Sequence, residues 1–143
     1  MKTWTVQSPL PPVVTTLDTN VVVRLLIGDD PLQTPVAEKA FLDAIASGVY
    51  LPDVVLAEVA WVLRGYDLDR ATRHGLLERL VRTRGVVVDD IDAVIDSLDQ
   101  FRQGGDLADQ LILARATSAA ALPVLTFDRR FSGAKGVALL QAG

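Results

Sequence analysis

The sequence predicts an α/β fold in which a central parallel sheet of about five strands is flanked by helices. Three observations carry this. Short runs rich in β-branched and aliphatic residues recur at Val13–Leu17, Val49–Leu51, Val86–Val88, Pro123–Thr126 and Val137–Leu140. Segments of helical length with apolar stripes separate them, which is the alternation of βαβ units. The first run stops abruptly at Asp18, and in open parallel sheets ligands bind beyond the carboxyl ends of the strands.

Each element follows from its residues. Val13 to Leu17 is β-branched and uncharged, as suits a strand covered on both faces. A helix begins near Asn20 and ends at the turn Gly28–Pro31. Thr34 is the expected N-cap of the next helix, with Pro35 at its first position. That helix runs to about Ser47 on a stripe of Val36, Ala40, Phe41, Ala44 and Ile45, and Gly48 stops it. After the second strand, Asp53 is the expected cap of an apolar helix from Val54 to Arg64, which reads as largely buried. Gly65 and Tyr66 break it. Asp69 opens a helix to about Arg84, Asp90 one from Ile91 to about Arg102, and Asp106 one to about Ala121. Phe127 to Lys135 is a loop. The Pro-rich residues 1–12 read as a loose extension ahead of a domain spanning 13–143.

The chain has 143 residues, enough for one domain with a real core. Half the residues are hydrophobic, yet no apolar run is long enough to span a bilayer. There is no cysteine and one histidine, His74. That removes thiolate chemistry, makes a histidine-based zinc site a poor fit, and suits a reducing, cytoplasmic setting. The net charge of −4 argues against a passive nucleic-acid binder. It does not argue against a nuclease, whose metal-holding carboxylates make a chain acidic while local arginines meet phosphates. No secretory signal is visible.

The acids carry the chemistry. Asp18 ends the first strand, where it is also a plausible helix cap; Thr19 and Asn20 could cap equally well. Glu58 lies inside VVLAEVAWVL, and an ionised carboxylate buried among apolar residues needs a partner. Asp106 and Asp109 are three apart at a helix start, on one face; Asp106 is well placed to cap, while Asp109 points toward a site. Asp128 in LTFDRRF ends the fourth strand as Asp18 ends the first. Carboxylates gathered from two strand ends and two helices repel by several kcal/mol per pair at about 4 Å, so a cation is expected among them. All-oxygen ligands select magnesium or manganese, and such an ion suits phosphodiester hydrolysis. Arg129 and Arg130 are the candidates for phosphate contact. Asp92, Asp96 and Asp99 read as a solvated stripe, His74 as a surface residue, and Arg70, Arg73, Arg79, Arg82 and Arg84 as mostly the solvent face of their helix.

Together LDTNVVVRLL, the Glu of LAEVAWVL, DLADQLILARA and LTFDRRF resemble the PIN-domain family, and within it the VapC toxins of VapBC toxin–antitoxin systems. The likeness runs from Val14 to near the end of the chain. It implies a magnesium- or manganese-dependent endoribonuclease. The family's four acids match Asp18, Glu58, Asp109 and Asp128. Asp18 and Asp109 would be principal metal ligands, Glu58 and Asp128 would complete the site partly through water, and Asp106 would stand just outside it. Thr126 would match a hydroxyl near the fourth acid, and with Thr19, Asn20, Arg129 and Arg130 makes the set of candidate substrate contacts. A homodimer, an RNA substrate and a VapB-like antitoxin are the implied partners.

Other readings fit less well. A haloacid-dehalogenase-like phosphatase needs a second Asp two residues after the first, and position 20 is Asn. A dinucleotide-binding fold needs G-x-G-x-x-G after the first strand, which is absent. A non-catalytic PIN-like scaffold that binds RNA or protein remains as the alternative, separated from the enzyme by Asp18→Asn.

Overall fold

The computed structural model describes residues 14–143. The expected extension over residues 1–12 lies outside them, and so does Val13. The elements run β1 (Thr15–Thr16), α1 (Thr19–Ile27), α2 (Gln33–Ile45), β2 (Val49–Tyr50), α3 (Asp53–Leu63), α4 (Arg70–Arg82), β3 (Val86–Val87), α5 (Ile91–Arg102), α6 (Leu107–Ser118), β4 (Val124–Thr126) and β5 (Val137–Leu139), with a 3₁₀ turn at Phe131–Gly133. This is the expected α/β architecture with all strand pairs parallel.

The five strands form two sheets rather than one. Strands β1, β2 and β3 lie side by side with β2 in the centre, and β4 pairs with β5. Among the described residues β1 and β4 share no ladder, so β1 is an edge of the three-stranded sheet and β4 pairs with β5 alone. Strand β1 also differs in burial. Val14, Thr15 and Thr16 are exposed and Leu17 alone is buried. Their β-branched shape suits a strand but does not bring a second layer over it.

The core is aliphatic. Val22 and Val23 of α1, Val49 and Leu51 around β2, Leu56, Val59 and Leu63 of α3, and Leu77, Leu98 and Leu111 from the later helices are nearly inaccessible. Burying each such side chain contributes about 1.5–3 kcal/mol before conformational entropy is counted. Helix α1 packs on α3, and α6 packs on both α3 and α5. The acids of α1, α3 and α6 are therefore carried by adjoining helices. No helix among the described residues is long and apolar enough to cross a membrane.

The helix starts refine the expectations. Asp69, Asp90 and Asp106 are N-caps that accept from the amides of Thr72, Ala93 and Asp109. Thr34 is not a cap. Asp30 Oδ1 accepts from Leu32 N and Gln33 N, and Thr34 Oγ1, one turn on, accepts from Asp30 N. Asp53 is likewise inside its helix, with Pro52 in the cap position. Its carboxylate is directed elsewhere, to Arg115.

Helix α3 is buried on one side only. Val55, Leu56, Val59, Ala60 and Leu63 face the core, whereas Val54, Trp61 and Val62 are exposed. Glu58 shares that outer face and is exposed. The expectation of a buried carboxylate fails because apolar neighbours at helical spacing can themselves be at the surface. His74 errs the opposite way. It is buried, on the same face as Leu77 and Val81 and turned toward α5.

Candidate active site

Helix α3 and helix α6 run antiparallel across the site. Asp53 at the start of α3 meets Arg115 near the end of α6 in a two-point pair, with Arg115 Nη2 3.1 Å from Asp53 Oδ1 and Nε bonded to Oδ2. The Asp53 contact holds the Arg115 guanidinium above its ordinary pKa. At the other end, Ala57, Ala60 and Trp61 of α3 border the same cleft as Asp106 and Asp109. Counting from the clamp at about 1.5 Å per residue, Glu58 lies at nearly the same height as Asp109. Asp53→Ala removes a fork-shaped contact from a partly buried guanidinium. It costs about 1–3 kcal/mol, between exposed and buried ion pairs, read as a fall in the urea midpoint. Arg115→Lys recovers only part of that, since the ammonium lacks the planar fork.

Asp18 and Glu58 are joined through Thr19. Asp18 Oδ1 accepts from Thr19 N at 2.8 Å, and Thr19 Oγ1 donates to Glu58 Oε1 at 2.8 Å. The cap reading of Asp18 is thus realised. Thr19 is buried, and the hydrogen bond from its hydroxyl orients the Glu58 carboxylate. Asn20 is exposed at the start of α1.

Asp109 is half-buried in a cleft of about 710 Å³ that Asp106 and Asp128 also line, and Asp18, Thr19 and Glu58 are not part of that lining. Burial raises the Asp109 pKa above the usual carboxylate range, and the charges of Asp106 and Asp128 push the same way. Asp106 caps α6 through Asp109 N. Asp128 accepts from Arg130 N and Phe131 N through Oδ1, and its own amide donates to Thr126 Oγ1. Thr126 therefore shapes the turn that presents Asp128. Arg130 lines the cleft, and Arg129 is exposed outside its lining.

The acids are not gathered as tightly as expected. Among the described residues no three of Asp18, Glu58, Asp106, Asp109 and Asp128 bring their oxygens within 4.8 Å of one another. Asp18, Asp106 and Asp128 are each tied to a backbone amide, and mutual repulsion favours that separation. The group that does meet this spacing is His74, Glu78 and Asp99, on α4 and α5. There His74 Nε2 stands 4.0 Å from Asp99 Oδ1, and Glu78 also accepts from Arg82.

Arginines just past the end of α3 and on α4 complete the cleft, and sequence reasoning missed them. Arg64, Arg70 and Arg73 join Arg130 in its lining. Arg70 and Arg73 were expected at the solvent face of α4, but that face abuts the end of α5. The signal was a run of arginines one turn apart, which periodicity alone assigns to water.

The family model described as PIN domain matches residues 15–137. This chain belongs to the PIN-domain family. The match spans β1 to the start of β5 and so includes every acid considered above. No curated protein matches the sequence. PIN domains are generally divalent-metal-dependent nucleases that act on nucleic acid, and the fold here is nuclease-like.

Proposed function

We propose that this PIN domain is a magnesium- or manganese-dependent endoribonuclease and the toxin of a type II toxin–antitoxin pair. The reading rests on one observation, that Asp106, Asp109 and Asp128 line one cleft of a PIN fold with Asp109 half-buried among them. A half-buried carboxylate pushed toward protonation by two like charges is a site that a divalent cation relieves. In this proposal Asp18 and Asp109 are the principal ligands, Glu58 and Asp128 complete the set, and Asp106 supports it from the helix cap. A bound ion supplies charge neutralisation at the phosphodiester and activation of water. The protein's own part is positional: Thr19 holds Glu58, the Asp53–Arg115 pair holds α3 against α6, and the 3₁₀ turn holds Asp128.

Exposed Leu32, Val36 and Leu42 on and beside α2 favour a face covered by a partner. The partners proposed are a second copy of the chain and a VapB-like antitoxin.

A second reading, a non-catalytic scaffold for RNA or protein, is favoured by the separation of the four acids. Asp18→Asn separates the two. The enzyme loses both RNA cleavage and growth arrest on expression, whereas a scaffold keeps its biological effect. Purified protein should hydrolyse RNA in magnesium or manganese, stop with chelator, and melt at a higher temperature with millimolar metal. Cleavage that persists in chelator would defeat the proposal.

A further inference from the structure

Four guanidinium groups converge on the cleft beside the acids, and among the described residues none of them pairs with a carboxylate within 4.0 Å. Three of them, Arg64, Arg70 and Arg73, lie against neutral carbonyls or aromatic rings. Arg70 Nη1 donates to the carbonyls of Phe101 at 2.8 Å and Gly105 at 2.9 Å. Its guanidinium lies over the Phe101 ring at 5.0 Å, and that of Arg73 over the same ring at 5.7 Å. Arg73 Nε is buried without a hydrogen-bond partner. Arg64 covers one face of Trp61 at 4.5 Å, and Trp61 is still 65% exposed. Arg130 reaches over Gly104, where its Nη2 would stand 2.7 Å from a Cβ.

Gathering like charges in this way is costly. Burial lowers the Arg70 pKa, and Arg73, Arg130 and Arg64 lower it further. Carbonyls and aromatic faces order these groups but do not neutralise them. An anion does both, and the guanidinium fork matches phosphate in two-point geometry. Inorganic phosphate alone would leave Trp61 unused. A single-stranded polynucleotide uses all of the features, with phosphates on the arginines and a base on the open indole.

We propose that Arg64, Arg70, Arg73 and Arg130 form a phosphate track that binds a single strand of RNA flanking the acids, with Trp61 as its stacking platform. The choice of RNA as ligand rests on the nuclease reading; the track itself does not.

The test is fluorescence anisotropy with a short, fluorescein-labelled, 2′-O-methyl oligouridylate, titrated in chelator at several salt concentrations. The strand cannot be cut, so binding is read apart from catalysis. Arg73→Gln and Arg130→Gln should each weaken binding roughly 10-fold and reduce the slope of log K against log salt by about 0.7. Trp61→Ala should weaken it roughly 10-fold with the slope unchanged. Arg79→Gln, outside the cleft, should do neither. Should Arg73→Gln melt early, Arg73→Lys keeps the charge and must keep the slope. Wild-type affinity and slope in the Arg73→Gln, Arg130→Gln double variant would overturn the track. So would equal displacement by polyglutamate, which would show a protein-like polyanion to be read as well as RNA. A wild type that binds through these arginines yet cuts no RNA would sink the nuclease reading and leave the track standing.

Discussion

Asp109→Asn should lower metal-dependent RNA hydrolysis by more than about 100-fold, the upper end of what losing even an outer-sphere partner costs at a metal site. The same substitution should raise the melting temperature at neutral pH. Asp109 is disfavoured as a carboxylate first by burial and then by Asp106 and Asp128, so its pKa in the folded chain lies above the unfolded value. The folded state then holds the proton more tightly, and stability declines as pH rises from the ordinary Asp range through the raised one. Above that raised range the whole of the penalty is present, and the neutral amide removes it. The gain should be a few degrees at pH 7 and should vanish in acid below the ordinary Asp range. Thermal melts at both pH values beside a cleavage assay test this. An active Asp109→Asn enzyme would remove Asp109 from the site, and a variant destabilised at pH 7 would refute the electrostatic account.

Gly85→Ala should destabilise the fold by about 3–5 kcal/mol, a large part of the roughly 5–15 kcal/mol that holds a domain together. Gly85 has φ +95°, which L side chains rarely adopt, and a Cβ there would clash with the Ile45 carbonyl oxygen and stand 2.9 Å from Ile45 Cγ1. Backbone strain alone costs about 1–3 kcal/mol. The clash is with backbone at the end of α2, so relief requires moving the strand entry. Gly85 O also accepts from Val49 N at 2.8 Å, so that shift disturbs the β2–β3 pairing. Gly75 is the contrast. It lies inside α4 with nothing within 4 Å of an added Cβ. Gly75→Ala should therefore stabilise by about 0.5–1 kcal/mol through helix propensity and a less flexible unfolded chain. Urea midpoints decide both, and equal midpoints for the two variants would mean that the backbone at Gly85 gives way easily.

Both predictions depend on facts with different visibility in the sequence. The Asp caps at 69, 90 and 106 were legible, because capping is a contact between residues three apart. The order of strands and helices was legible from periodicity. The long-range partners were not. Nothing local says that Asp53 leaves its helix start for Arg115, that Thr19 spends its hydroxyl on Glu58, or that Thr34 serves Asp30. The buried placement of Glu58 and the exposed placement of His74 were both misread, since a helical pattern gives the angle between residues and not which side faces the core.

By itself the amino-acid order determined the α/β alternation, the placement of acids at two strand ends and two helices, and membership of the PIN family through motifs that span the chain. Tertiary structure alone decided how near those acids come to one another, that β4 and β5 stand apart from the other three strands, and that arginines just past the end of α3 and on α4 turn into the acid-lined cleft. The reason is physical. Periodicity and capping are set by neighbours within a turn or two, whereas charge proximity and burial depend on how whole helices are laid against each other.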